Sequence, residues 1–183
     1  MGKLLLAHDL GTTGNKATLF SEEGTLIESA SHEYPTDYAP GGFAEQDPGH
    51  WWESVRLTTQ RLMASRDPAR VAAISFSGQM MGCLCVDKNG VPLRKHILYS
   101  DQRSTGQERA FRERGGAEEI YRITGHRASA SYGATKLMWV RDNQPDIYKK
   151  TFKMLNAKDY LNFRLTGRMA TEPTDASSTN LYD

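Results

Sequence analysis

Cysteine is nearly absent: 183 residues contain two, Cys83 and Cys85. They stand one residue apart in an apparent strand, where side chains point the same way without readily closing a bridge on each other. A disulfide framework is thereby excluded, and both thiols are expected as reduced core residues. Long apolar runs are also missing, so no segment reads as a membrane span. The opening MGKLLLAHD has too short a greasy stretch, with no small-residue cleavage site, for a secretory signal, and a cytoplasmic location is expected. Net charge is almost nil, with 23 basic against 22 acidic residues. No long-range field then draws the chain to nucleic acid or an anionic membrane, and the expected partner is a small molecule. The histidines show no pair spacing typical of metal ligands. Repeats, low-complexity tracts and linkers are absent as well, which leaves one domain, elaborated, as the default.

What is present begins with alternation. KLLLAHD and NKATLF read as two strands of a hairpin, and a turn at Glu23 and Gly24 leads to a third. A Pro/Gly-rich segment, YPTDYAPGGFAEQDP, reads as a loop. Asp47 then Pro48 predicts an N-cap with proline at the first helical position, and Trp52, Val55, Leu62 and Met63 recur at helical spacing. VAAISFS, 71–77, is apolar enough to predict a central strand. A second hairpin is predicted from CLCVD through Asn89 and Gly90 to VPLRKHILYS. Helices are predicted over GQERAFRERGG, AEEIYRITG, GATKLMWVRDN and KDYLNFRLTG, with a strand in KTFKMLN and Gly167 as a C-terminal stop. The RERGG cluster reads as a solvated helix face, and the tryptophans as packing anchors.

The turn between the first two strands carries the chemistry. In DLGTTGNK, Gly11 and Gly14 allow unusual φ values and close approach, Thr12 and Thr13 add hydroxyls, and Lys16 adds a cation. It is neither a Walker A loop nor GxGxxG. Two readings stay open on these residues alone, a plain hairpin turn and a phosphate cradle. Asp9 favours the second, because a carboxylate beside phosphate calls for an intervening cation, usually Mg²⁺. Met80 and Met81 would by themselves be core methionines, and Asp101 with Arg103 a surface ion pair.

In order along the chain, DLGTTGNK (9–16), EQDPGHWWES (45–54), SGQMMG (77–82), YSDQRS (99–104), TKLMWVRDN (135–143) and KDYLNFRLTG with TDASST (158–167 and 174–179) resemble the N-terminal part of the FGGY carbohydrate kinases, xylulokinases most of all. The resemblance implies an α/β fold of the ribonuclease H-like, actin-like ATPase type, with a mixed sheet and helices on both faces. It implies transfer of the γ-phosphoryl group of MgATP to a sugar hydroxyl, on a ketopentose such as xylulose. By matched position, Asp9 would bind or orient Mg²⁺, and Gly11, Thr12, Thr13, Gly14 and Lys16 would line the phosphates. Gln79, Met80, Met81, Asp101 and Arg103 would face the sugar, and Asp175 would lie near the cleft. The base that deprotonates the acceptor is an aspartate expected beyond residue 183, on a second domain. Homodimerisation is left open. Met81 stands where xylulokinases usually carry His, Tyr99 where Trp is usual, and Gly133 where Ser, Thr or Pro is usual. Glycerol is disfavoured, because Met80 and Met81 replace the Arg and Glu of glycerol-type members. A non-catalytic sugar-binding domain is the alternative; an actin-like or Hsp70-like ATPase half fits the SGQMMG and YSDQR segments less well.

Overall fold

The computed structural model describes residues 2–183. Strands β1 (Leu4–Leu10) and β2 (Gly14–Ser21) pair antiparallel from Leu4↔Ser21 to Leu10↔Asn15. Period-two alternation buries Leu4, Leu6 and Leu10 on one face and leaves Leu5 and Asp9 exposed on the other. β3 (Leu26–Glu33) continues the meander along β2. The Pro/Gly-rich segment is not all loop, since β4 (Asp37–Ala39) and β5 (Phe43–Gln46) form a short antiparallel ladder within it.

Helix α1 (Pro48–Met63) starts at an Asp47 cap whose side chain accepts from the Gly49 N–H at 2.8 Å. Such a cap contributes about 1 kcal/mol. Its buried stripe is Trp51, Ser54, Val55, Thr58 and Leu62. The stripe is therefore centred on Trp51, and Trp52 and Met63 lie at its margins, partly buried. Trp51 takes the inner place because its indole N–H finds an internal acceptor, Gln46 Oε1, at 3.0 Å.

β6 (Val71–Gly78) runs parallel to β1 and gives a mixed sheet of order β3-β2-β1-β6. The predicted central strand is thus an edge strand among the described residues, with Ala72, Ala73, Ile74 and Ser75 exposed. Only its β1 side is paired, and α1 lies over β2 and β3 rather than over it.

The second predicted hairpin forms its turn but not its ladder. Asp87 Oδ1 accepts from the N–H groups of Asn89 and Val91, both at 2.9 Å, and Gly90 takes a φ of +79°. β7 (Leu84–Val86) and β8 (His96–Ile97) share no ladder among the described residues; Val86 bridges to Pro92, ahead of β8, and Ile97 bridges to Cys83, ahead of β7. Pro92 has no N–H to extend the ladder. β8 pairs instead with β5.

The helices follow: α2 (Thr105–Gly115), α3 (Ala117–Thr124), α4 (Gly133–Asn143) and α5 (Pro145–Lys150). After them come β9 (Lys153–Leu155), which pairs with β7, then α6 (Ala157–Thr166) and α7 (Pro173–Ser177). One apolar core joins Leu10, Trp51 and Val55 to Tyr160 and Leu161 of α6. α1 and α6 therefore cover the same sheet face. The opposite face, with Asp9, Lys16, Ser75 and Ser77, is open among the described residues. Cys83 and Cys85 are free thiols, buried, with Sγ atoms 3.9 Å apart. No helix among the described residues is long and apolar enough to cross a membrane.

Candidate functional site

The turn at residues 11–14 is held from behind through its carbonyls. Gly11 O accepts from the Tyr34 hydroxyl at 2.6 Å, and Thr13 O from the Tyr34 N–H at 3.2 Å. Thr12 O accepts from Gln46 Nε2 at 2.7 Å and Thr36 Oγ1 at 3.1 Å, while Gly14 O accepts from the Gly11 N–H at 2.9 Å. Every carbonyl of the turn is thus engaged. No acceptor among the described residues meets the N–H groups of Thr12 or Thr13. A turn with its negative ends satisfied and its donors free favours an anion.

Glycine serves here in a different way from the one expected. Neither Gly11 nor Gly14 has positive φ. At Gly14 a Cβ would lie 2.7 Å from His32 O and 3.0 Å from Glu33 Cα, so β3 passes too close for a side chain. At Gly11 the nearest atom would be Gly14 O at an ordinary 3.4 Å.

Two clefts flank the turn. One, of about 590 Å³, is lined by Thr12, Thr13 and Tyr34 to Thr36. The other, of about 340 Å³, contains Asp9, Lys16, Ser75 and Ser77 on the open sheet face. Strand register sets Lys16, Asp9 and Ser77 side by side on three neighbouring strands. Burial, and then the charge of Asp9, push ionisation of the Tyr34 phenol up, so Tyr34 acts as a neutral donor. The described residues form no group of three or more metal-ligating side chains. A lone exposed carboxylate fits Mg²⁺ that arrives already held by phosphate oxygens and water.

β6 ends beside this turn, where the Gln79 N–H donates to Leu10 O at 2.8 Å. Met80 is 43% exposed, and Met81 adopts a φ of +62°, a left-handed conformation uncommon for a non-glycine residue. Gly82 makes room for His96, whose Nε2 would lie 1.9 Å from a Cβ there. His96 is buried against the Trp51 ring, 4.9 Å between centroids. Burial first, then the charges of Lys136 and Arg94, pull its pKa down to about 3.

Asp101 and Arg103 occupy the interior instead of an open surface. Asp101 is fully buried, and its Oδ2 accepts from the Ala44 N–H at 2.6 Å and from Arg103 Nη2 at 2.7 Å. The Arg103 side chain, 2% exposed, also pairs with Glu45 at 2.7 Å and lies 3.9 Å from the Phe43 ring centroid and 4.9 Å from that of Trp139. This pair ties the segment after β8 to β5. Asp175 lies in another cluster, beside Lys158 Nζ at 3.1 Å, and burial pushes its carboxyl up. No hydrogen bond or ion pair joins Asp175 to the turn at 11–14. The structure therefore brings together Asp9, Gly11 to Gly14, Lys16 and Gln79, and adds Tyr34, Thr36 and Gln46. Those three escape single-sequence reasoning because their partners lie 23 to 34 residues away. The EQDP segment around Gln46 was the one available signal.

Comparison with known proteins gives the family and the fold. The family model for the FGGY family of carbohydrate kinases, N-terminal domain, matches residues 4–183. The xylulose kinase of Lactococcus lactis subsp. lactis is 36% identical over 98% of this chain, which spans 36% of that relative's length. Among solved structures, a ligand-bound xylulose kinase from Lactobacillus acidophilus superposes with a TM-score of 0.91 at 30% identity, over 98% of this chain and 36% of its own. A gluconate kinase from the same organism gives 0.92 at 29%, over 99% and 37%. The chain spans only about a third of these proteins, and its fold is the actin-like ATPase fold that they share. With one model matching from β1 to the last residue, this chain belongs to the FGGY family of carbohydrate kinases, as its N-terminal domain.

Proposed function

We propose that this chain is the phosphate- and sugar-binding part of an ATP-dependent carbohydrate kinase, acting in the cytoplasm on a ketopentose such as D-xylulose. The observation that carries the proposal is the turn at 11–14, with every carbonyl tied back and the Thr12 and Thr13 N–H groups left to an anion. The names of the relatives support the pentulose, and Met80 beside the strained Met81 offers it a surface at the end of β6.

Phosphoryl transfer depends chiefly on positioning and neutralised charge. In this proposal the free N–H groups and threonine hydroxyls cradle phosphate oxygens, and Lys16 balances their charge from the neighbouring strand. Asp9 holds or orients Mg²⁺, which supplies charge neutralisation on the transferred group when bound. Gln79, Met80 and Met81 line the acceptor. Asp101 and Arg103 act indirectly, by fixing the loop that carries Tyr99 and the strand that carries Gln46. Asp175 supports α7 in its pair with Lys158. The general base is assigned to an aspartate of the longer polypeptide, since the relatives run to nearly three times this length.

The test is a turnover assay of the full-length polypeptide with MgATP and D-xylulose. Asp9→Asn is expected to lower kcat by about a hundredfold or more while leaving the unfolding midpoint unchanged. Near-normal turnover would remove Asp9 from its role. Binding of pentulose without ATP consumption by the unsubstituted protein would establish the rival reading, a non-catalytic sugar-binding domain.

A further inference from the structure

Gln46 lies at the end of β5, 1% exposed, with a carboxamide whose hydrogen-bonding capacity is filled on all sides. Nε2 donates to Thr12 O and to Thr36 Oγ1, both at 2.7 Å. Oε1 accepts from Trp51 Nε1 at 3.0 Å and from Gln79 Nε2 at 2.6 Å. The orientation follows from chemistry. An indole N–H can only donate and a peptide carbonyl can only accept, so Oε1 must face Trp51 and the amide nitrogen must face Thr12. Gln79 can then reach Oε1 only through its own amide N–H. That choice turns Gln79 Oε1 to the far side, where it is buried without a partner. The backbone N–H of Gln79 is separately tied to Leu10 O at 2.8 Å.

We infer that Gln46 is a positioning residue that locks the turn at 11–14 and the Gln79–Met81 turn to each other through one carboxamide, with Gln79 as its partner. The inference rests on the kinase reading for its consequence, that donor phosphate and acceptor hydroxyl are held at a fixed separation. The link between the turns rests on the hydrogen bonds alone. The Thr12 backbone carbonyl of one turn and the Gln79 side chain of the other are joined to the same rigid amide, so displacement of either turn must be transmitted or must break one of these bonds.

The link is testable in the 183-residue chain by amide NMR shifts and hydrogen exchange. Gln79→Met removes one hydrogen bond from a half-buried position, and it is expected to shift the Thr12 and Thr13 amides and speed their exchange. In a Gln46→Met background the same substitution is expected to leave those amides unmoved. Unchanged Thr12 and Thr13 amides in the Gln79→Met variant, correctly folded, would overturn the inference. In the full-length kinase, Gln79→Met is expected to lower kcat about tenfold or more while KM for MgATP moves about twofold or less, as small misplacements cost turnover first. The coupling of the two substitutions is read on the Thr12 and Thr13 amides, because Gln79 also lines the acceptor and its loss lowers kcat by that route as well. Additive amide shifts in the double variant would overturn the claim that the two residues act as one unit. If the amide response appears while the full-length protein neither binds nor consumes MgATP, the kinase reading falls and the link between the turns stands.

Discussion

Gly11 and Gly14 look equivalent in sequence, yet the structure predicts opposite responses to alanine. A Cβ on Gly14 would meet His32 O at 2.7 Å and Glu33 Cα at 3.0 Å. Both are backbone atoms of β3, held in register by the ladder with β2, so neither can rotate away. Relief requires β3 to move, and overpacking of this kind costs about 1–3 kcal/mol. At Gly11 the closest atom would be 3.4 Å away, and φ is not positive. Alanine there narrows the unfolded ensemble and is expected to stabilise by about 0.4–1 kcal/mol. Chemical denaturation of both variants at constant m-value measures the difference, and thermal midpoints should separate by about 2–4 °C for each kcal/mol. Equal destabilisation by the two alanines would refute the reasoning, since it would mean that Gly11 tolerates a side chain no better than the crowded Gly14.

Burial holds His8 near a pKa of about 4, against a weaker opposing hydrogen bond from Asn15, and holds His96 near about 3. Both are neutral in the fold and protonate near 6.5 once unfolded, so the unfolded state binds more protons below that pH and stability falls as pH drops from 6.5 towards 4. Unfolding free energy from chemical denaturation should decline from pH 7 to pH 5 by up to about 2 kcal/mol per histidine, and a flat profile would show that these rings are hydrated in the native state. Arg103→Lys should destabilise by about 3 kcal/mol or more despite keeping the charge, because lysine cannot reproduce the bidentate contact with Asp101 or the stacking on Phe43. A change below about 1 kcal/mol in the same denaturation assay would place the pair among weak surface ion pairs.

The phosphate turn was legible because its parts are neighbours in the chain. Asp9, the two glycines, the threonines and Lys16 fall within eight residues, and a tight hairpin places them together whatever surrounds it. The Asp47 cap and the helical periodicities were legible for the same reason. Strand partners were not, because a short apolar run carries no record of what it pairs with. Leu84–Val86 went to β9, almost 70 residues away, and VAAISFS became an edge. Asp101 and Arg103 illustrate the same limit. Their residue types suit a polyhydroxylated ligand, but Ala44 and Glu45 arrive from another strand as polar partners, and Phe43 of the same strand packs its ring on the guanidinium.

Local pattern by itself thus determined the hairpin, its donors and the carboxylate beside them, since backbone geometry over a few residues depends on those residues alone. Which donors stay free was decided by the tertiary structure. Tyr34, Thr36 and Gln46 occupy the turn's carbonyls from distant segments, and only when those carbonyls are satisfied do the Thr12 and Thr13 N–H groups remain as the turn's unspent polarity. Hydrogen-bond capacity is finite, and its distribution is set by what folding brings within 3 Å.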